Sequence, residues 1–225
     1  MTFSIAGRCP ESGMLGVAIA TSSICAGSRC PWARAQVGAV ATQNITLPEL
    51  GPLILDRLER SEPPAAALEA VLAERPHAEY RQVTVVDARG QIAHFTGGKT
   101  LGLHGVVSGE GNVAAGNLLD NDRVPGAIAA GFAERSGAHL AERLMHALEC
   151  GRDAGGEVGP THSAALLVVS DRVWPLVDLR LDWHESDPIA SLRELWIAYE
   201  PQMQDYVTRA LDPSSAPSYG VPGDE

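Results

Sequence analysis

The sequence predicts an α+β protein in which antiparallel sheets pack against helices. Two observations carry this. Short apolar runs come in pairs joined by turn residues, the mark of hairpins. Helical stretches also come in pairs instead of alternating singly with strands, so there is no βαβ rhythm of a parallel sheet.

The elements follow in order. Residues 2–7 read as a strand, and Cys9-Pro10-Glu11-Ser12-Gly13 supplies a turn. The apolar run 14–21 is a second strand buried on both faces. A segment of small residues, Ser22, Ser23, Ala26, Gly27 and Ser28, precedes a third strand over 36–43. Thr46 is placed to cap a helix with Pro48 in its first turn. Pro63-Pro64 ends that helix and opens another over 65–74. Arg81 to Val86 and Gln91 to Thr96 flank a turn ending in Gly90, a clear hairpin. Two short strands meet around Gly109 and Gly111. Amphipathic helices follow over 124–134 and 139–150. A hairpin over 163–169 and 173–181 comes next, and then one helix from Asp187 to about Leu211. One domain is expected over 1–212. Its tail, 213–225, is rich in Pro, Ser, Gly and acid and is expected to be disordered.

Composition narrows the function. The chain has 225 residues, 45% hydrophobic and 20% charged, with a formal net charge of −11. A long basic patch is hard to build from 17 scattered Lys and Arg, so nucleic acid and anionic membranes are not expected partners. Lys99 is the sole lysine. No apolar run spans a bilayer and no signal peptide is visible. Cys9, Cys25, Cys30 and Cys150 form no CxxC or zinc-ligand pattern, which reads as four reduced thiols in a cytoplasmic protein. The histidines lack metal-ligand spacing, so no metal and no cofactor is expected, and a structural role is expected for each. The Gly109–Gly111 stretch lacks the GK[ST] of a phosphate loop.

The chemistry-bearing stretch is the first one. Thr2 follows Met1, and small second residues favour removal of an initiator Met. Thr2 would then hold a hydroxyl nucleophile and an α-amine of pKa about 7.7–8.0 in one residue. Ser4 lies on the same strand face. Ser28, Gln43, Asn44 and Glu110 offer polar contacts to a substrate. Arg34 could take a carboxylate in bidentate fashion, and Asn117 could donate to an oxyanion. An ordinary strand, turn or surface role is the competing reading for every one of them.

Several stretches together carry a resemblance: MTFSIAGRCPESGMLGVAIATSS, PWARAQVGAVATQ, RQVTVVDARGQIAHFTG, VSGEGNVAAGNLL, SAALLVV and DPIASLRELW. The chain resembles the domain-of-unknown-function 1028 family to about residue 200, and through it the N-terminal nucleophile (Ntn) hydrolase superfamily. The resemblance implies a four-layer αββα sandwich and hydrolysis of a small non-peptide C–N bond, amide or ureido. It implies Thr2 as nucleophile once Met1 is lost. Proteasome-type members add an Asp after the second strand begins and a Lys near the third strand's end. Here the first is missing, and the second region offers only Arg29 or Arg34. The alternative is therefore a non-catalytic αββα scaffold that binds a small ligand or assembles as a homo-oligomer. Trp174, Trp183 and Trp196 are candidates for an interface or a core.

Overall fold

The computed structural model describes residues 1–221. Two antiparallel sheets lie face to face between two helix layers. The first sheet contains β1 (Thr2–Arg8), β2 (Leu15–Thr21), β7 (Gly105–Gly109), β8 (Asn112–Asn117), β9 (Ser163–Val169) and β10 (Val177–Leu181), in the order β10-β9-β2-β1-β8-β7. The second contains β3 (Pro31–Arg34), β4 (Gly38–Asn44), β5 (Arg81–Asp87) and β6 (Ile92–Thr96), in that order. Helices α1 (Leu50–Glu59) and α2 (Pro64–Ala73) cover the outer face of the second sheet. Helices α3 (Val124–Glu134), α4 (Leu140–Asp153) and α5 (Pro188–Tyr199) cover the first. A last helix, α6 (Met203–Leu211), follows α5.

Strand alternation decides which side chains meet which layer. In β1, Phe3 and Ile5 enter the helix-side core with Phe132, Leu144 and Leu148. Ala6 joins Ala39, Ala41 and Val86 between the sheets, and Thr2 and Ser4 share its face. Small residues set the spacing of the layers. A Cβ on Gly7 would lie 2.8 Å from the Phe132 ring, and one on Gly51 would lie 2.2 Å from the Trp32 indole. No helix among the described residues is long and apolar enough to cross a membrane.

Four local expectations are corrected. The third strand does not start at residue 36. Gln36 adopts φ 62 in a tight turn, which separates β3 from β4. Thr46 does not cap α1; its hydroxyl turns back to the Thr42 carbonyl at 3.0 Å. The last hairpin strand begins at Val177, because Pro175 has no N–H for a ladder. The C-terminal helix is interrupted by a 3₁₀ turn over Glu200–Gln202, where Pro201 removes a donor and crowds the preceding turn. Its start is as the residues dictate: Asp187 accepts from the Ile189 and Ala190 amides at 3.1 and 2.9 Å, with Pro188 in the first turn. Of the expected tail, residues 213–221 carry no helix or strand, with the Arg209 guanidinium 3.0 Å from the Pro217 carbonyl. Residues 222–225 lie outside the described residues. Trp196 is fully buried, whereas Trp174 and Trp183 are exposed.

Candidate functional site

Strand β1 lies in the interior of its sheet, paired with β2 on one side and β8 on the other. This register sets Thr2 opposite Thr21 and also opposite Asn117. Directly paired residues point to the same face, so Thr2, Thr21 and Asn117 all project into the space between the sheets. The hydroxyls of Thr2 and Thr21 lie 3.2 Å apart, and both turn to the Met1 carbonyl oxygen. The Ser23 amide donates to Thr21 Oγ1 at 3.2 Å. Ser163, opposite Thr21 on β9, holds the adjoining loop by donating to the Ser23 carbonyl at 2.6 Å and accepting from the Ala26 amide at 3.2 Å.

Below Thr2 a chain of buried amides stitches the two sheets. Ser4 donates to Gln43 Oε1 at 2.6 Å, and Gln43 Nε2 donates to Gln82 Oε1 at 2.7 Å. Asn117 Nδ2 donates to the same Gln82 oxygen at 3.1 Å. Gln82 Nε2 in turn reaches the Gly116 carbonyl at 3.1 Å. All four side chains are buried. Its hydrogen bond to Gln82 ties the Asn117 carboxamide into this network. One Asn117 N–H is committed to Gln82, which leaves the second, and Asn117 Oδ1 has no partner among the described residues.

A carboxylate closes the other side. Glu157 is 5% exposed, and neither of its oxygens has a hydrogen-bond partner of ordinary geometry among the described residues. It is delivered by a loop in which Gly155, Gly156 and Gly159 adopt positive φ. That loop runs beside the exit of β8: Asp120 N donates to Gly156 O, Val158 N donates to Leu118 O, and Glu157 bridges Leu119. Burial pushes the Glu157 carboxyl up to about 7, against the opposing pulls of the Met1 ammonium, the Thr161 side chain and the Ser22 backbone. Burial likewise lowers the Met1 amine, and Glu157 partly restores it.

A model of a family of unknown function, DUF1028, matches residues 2–192. The chain belongs to the DUF1028 family. The crystal structure of protein SPO2555 from Silicibacter pomeroyi, itself matched to DUF1028, is 32% identical with a TM-score of 0.81, over 88% of each chain. Anbu (ancestral beta-subunit) from Yersinia bercovieri is 11% identical with a TM-score of 0.43, over 90% of this chain and 96% of that one. Among curated proteins none matches.

In this DUF1028 chain the structure gathers some of the expected residues and disperses others. Thr2, Ser4, Gln43 and Asn117 are together. Asn44 is next to them but serves the backbone: with φ 71, it donates to the Tyr80 carbonyl at 2.6 Å and accepts from the Leu101 amide at 3.2 Å. Arg34 lies away from Thr2. It pairs with Gly38 at the opposite end of β4 from Asn44, roughly 20 Å of strand away, and is held by Asp56 and Glu59 at 2.8 and 2.9 Å. Glu110 sits in the β7–β8 turn beside Gly111, at the Arg8 end of β1. Ser28 is exposed and donates to the Cys25 carbonyl at 2.9 Å, which closes its own turn. Lys99 is exposed and faces Glu79 at 3.4 Å.

Sequence reasoning missed Thr21, Gln82 and Glu157. Gln82 had a signal: it is an amide on the inward phase of a valine-rich strand. Thr21 ends a strand and Glu157 lies in a glycine-rich loop, where nothing local marks them. His162, stacked on Trp183 with centroids 4.2 Å apart, accompanies the His184 carbonyl at 2.9 Å. In the outer helix layer, ligand atoms of Glu134, His146 and Cys150 fall within 4.8 Å of one another, on α3 and α4 and apart from Thr2. The four thiols are free.

Proposed function

We propose that this DUF1028 protein is an N-terminal-nucleophile amidohydrolase that cleaves a small, non-peptide C–N bond, amide or ureido. The observation that carries the reading is the placement of Thr2. It occupies the first position of an interior strand, faces the space between the sheets, and is flanked by Thr21 and Asn117. With Met1 removed, the α-amine of Thr2 takes the proton of its own hydroxyl as Oγ1 attacks the substrate carbonyl. The uncommitted N–H of Asn117 lies on the adjoining strand, where it can stabilise the tetrahedral oxyanion. Water then releases the acyl group. The scheme needs no cofactor. Likeness to Ntn hydrolases supports it through the sandwich architecture and the strand that starts at Thr2. The test is Thr2→Ala: hydrolysis is lost while the melting temperature is kept, and turnover equal to the wild type would refute the assignment.

One observation favours the second reading, a non-catalytic ligand-binding scaffold. With Met1 in place, the nitrogen of Thr2 is a peptide nitrogen and both threonine hydroxyls are engaged by the Met1 carbonyl. Intact mass separates the two. Protein that carries Met1 in nearly every molecule and is still folded and ligand-competent fits the scaffold and not the hydrolase.

A further inference from the structure

Met1 is itself an α-aminoacyl group bound to Thr2, and its surroundings describe what the site accepts. Its carbonyl oxygen lies against the hydroxyls of Thr2 and Thr21. Its amine lies within the field of the buried Glu157 carboxylate, which raises it against the effect of burial. Its thioether runs past Gly159, where a Cβ would stand 3.9 Å from the Met1 methyl. The hydroxyl oxygen and the nitrogen of Thr2 sit on neighbouring carbons. An acyl group carried on one therefore fills nearly the same space as an acyl group carried on the other.

We propose that the seat now filled by Met1 is the acyl subsite, and that the substrates are small α-aminoacyl amides with an uncharged, unbranched side chain. This rests on the hydrolase reading above. The inference comes from Glu157, a buried acid whose two oxygens have no hydrogen-bond partner of ordinary geometry among the described residues; the Met1 ammonium, the Thr161 side chain and the Ser22 backbone favour its charged form, but less than burial disfavours it. A buried charge is costly unless it is paired. Once Met1 has left, a substrate ammonium two bonds from the scissile carbonyl brings a positive charge back to the place from which the Met1 amine acts on Glu157. A substrate lacking that ammonium leaves the acid buried and unpaired, or forces it to take up a proton. Gly159 borders the linear Met1 side chain at ordinary van der Waals distance. The reaction balances without a further reagent. The Thr2 Oγ1–carbonyl carbon bond forms and the C–N bond breaks. The hydroxyl proton passes through the Thr2 amine to the leaving nitrogen. Water then splits the ester to give the free amino acid.

The experiment uses full-length protein shown by intact mass to lack Met1. Three amides are compared: L-methioninamide, its N-acetyl derivative, and 4-(methylthio)butanamide, which lacks the amine. Ammonia release is followed for turnover, and calorimetry on the Thr2→Ala variant measures binding without turnover. Methioninamide is expected to exceed both analogues by about 100-fold in kcat/KM, since a site built around a polar group rejects ligands that lack it. Glu157→Gln is expected to collapse that ratio to a few-fold, with circular dichroism confirming the fold. If all three are cleaved equally and Thr2→Ala abolishes every reaction, the hydrolase stands and the ammonium selection is overturned. That is also the result if Glu157 pairs with the freed amine of Thr2 instead. If no amide is cleaved, calorimetry decides. A Glu157-dependent preference for methioninamide of about tenfold or more sustains the subsite without the hydrolase, and equal or no binding overturns it.

Discussion

Replacing Gln82 by Leu tests whether the amide chain between the sheets is a structural unit. Gln82 Oε1 accepts from Gln43 at 2.7 Å and from Asn117 at 3.1 Å, and its Nε2 donates to the Gly116 carbonyl at 3.1 Å. Leu leaves those three buried groups without this partner. At about 1–3 kcal/mol each, the gross loss is about 3–9 kcal/mol. Burial of the leucine side chain returns roughly 1.5–3 kcal/mol. From the middle of each range the net destabilisation is about 4 kcal/mol, which for a chain of this size lowers the melting temperature by roughly 8–16 °C. Urea unfolding followed by tryptophan fluorescence and by circular dichroism gives the value. A cycle with Asn117→Ala should return a coupling energy of about 1 kcal/mol or more, because the two side chains share a hydrogen bond. A loss under about 1 kcal/mol with no coupling would refute the reasoning, since it would mean that the amides are satisfied independently of Gln82.

Three further outcomes are expected. Gly51→Ala should destabilise by about 1–2 kcal/mol in urea unfolding. The new methyl meets the Trp32 indole at 2.2 Å, and overpacking at about 1–3 kcal/mol outweighs the helix gain of roughly 1 kcal/mol; an unchanged midpoint would show that the indole moves aside freely. Glu157 should make stability depend on pH. Its carboxyl is raised in the folded state from an ordinary 4.5 to about 7, so between those values the folded chain binds the extra proton. The stabilisation is complete below the unfolded value and is lost as pH rises through the folded one, at up to about 1.4 kcal/mol per pH unit. Relative to the wild type, Glu157→Gln should therefore gain melting temperature from about pH 5 to about pH 7.5 in a thermal-shift series, and a flat difference would contradict a buried acid. Finally, native alkylation should spare Cys30, whose thiol burial pushes up to about 11. Mass mapping should find it labelled only after unfolding; rapid native labelling would be inconsistent with that burial.

How far the sequence revealed the molecule depended on the range of each signal. Hairpins with turn residues and helices bounded by proline are local features. The 124–134 helix and the 163–169 strand fall where their periodicity puts them. The break at Pro201 and the split between β3 and β4 were also local but were overridden by longer apolar patterns. The site was legible only in part. Thr2 and Ser4 share a face by simple alternation, and Asn117 drew attention as a polar residue in a glycine-dense run. Their meeting depends on a pairing between residues 2 and 117, which no local pattern reports. Arg34 and Glu110 are equally suited by residue type, yet Arg34 ends β3 and Glu110 sits in the β7–β8 turn, both at the end of the sheets away from Thr2. Gln82 and Glu157 gain their meaning only from burial. An amide or an acid in sequence is unremarkable until the layers close over it.

The interior position of β1 also orders events in time. Its partner β2 is only a short hairpin away, but β8 is made about a hundred residues later on the ribosome, and β9, which braces Thr21, later still. Until β8 is made, Thr2 is the end of a two-stranded ribbon, and such a hairpin is marginally stable alone. Afterwards it is locked between strands on both sides, with Met1 half-buried and its carbonyl held by the hydroxyls of Thr2 and Thr21. Any enzyme that trims Met1 therefore has easiest access while the chain is still being synthesised. The yield of trimmed protein is then set by a race between trimming and sheet closure.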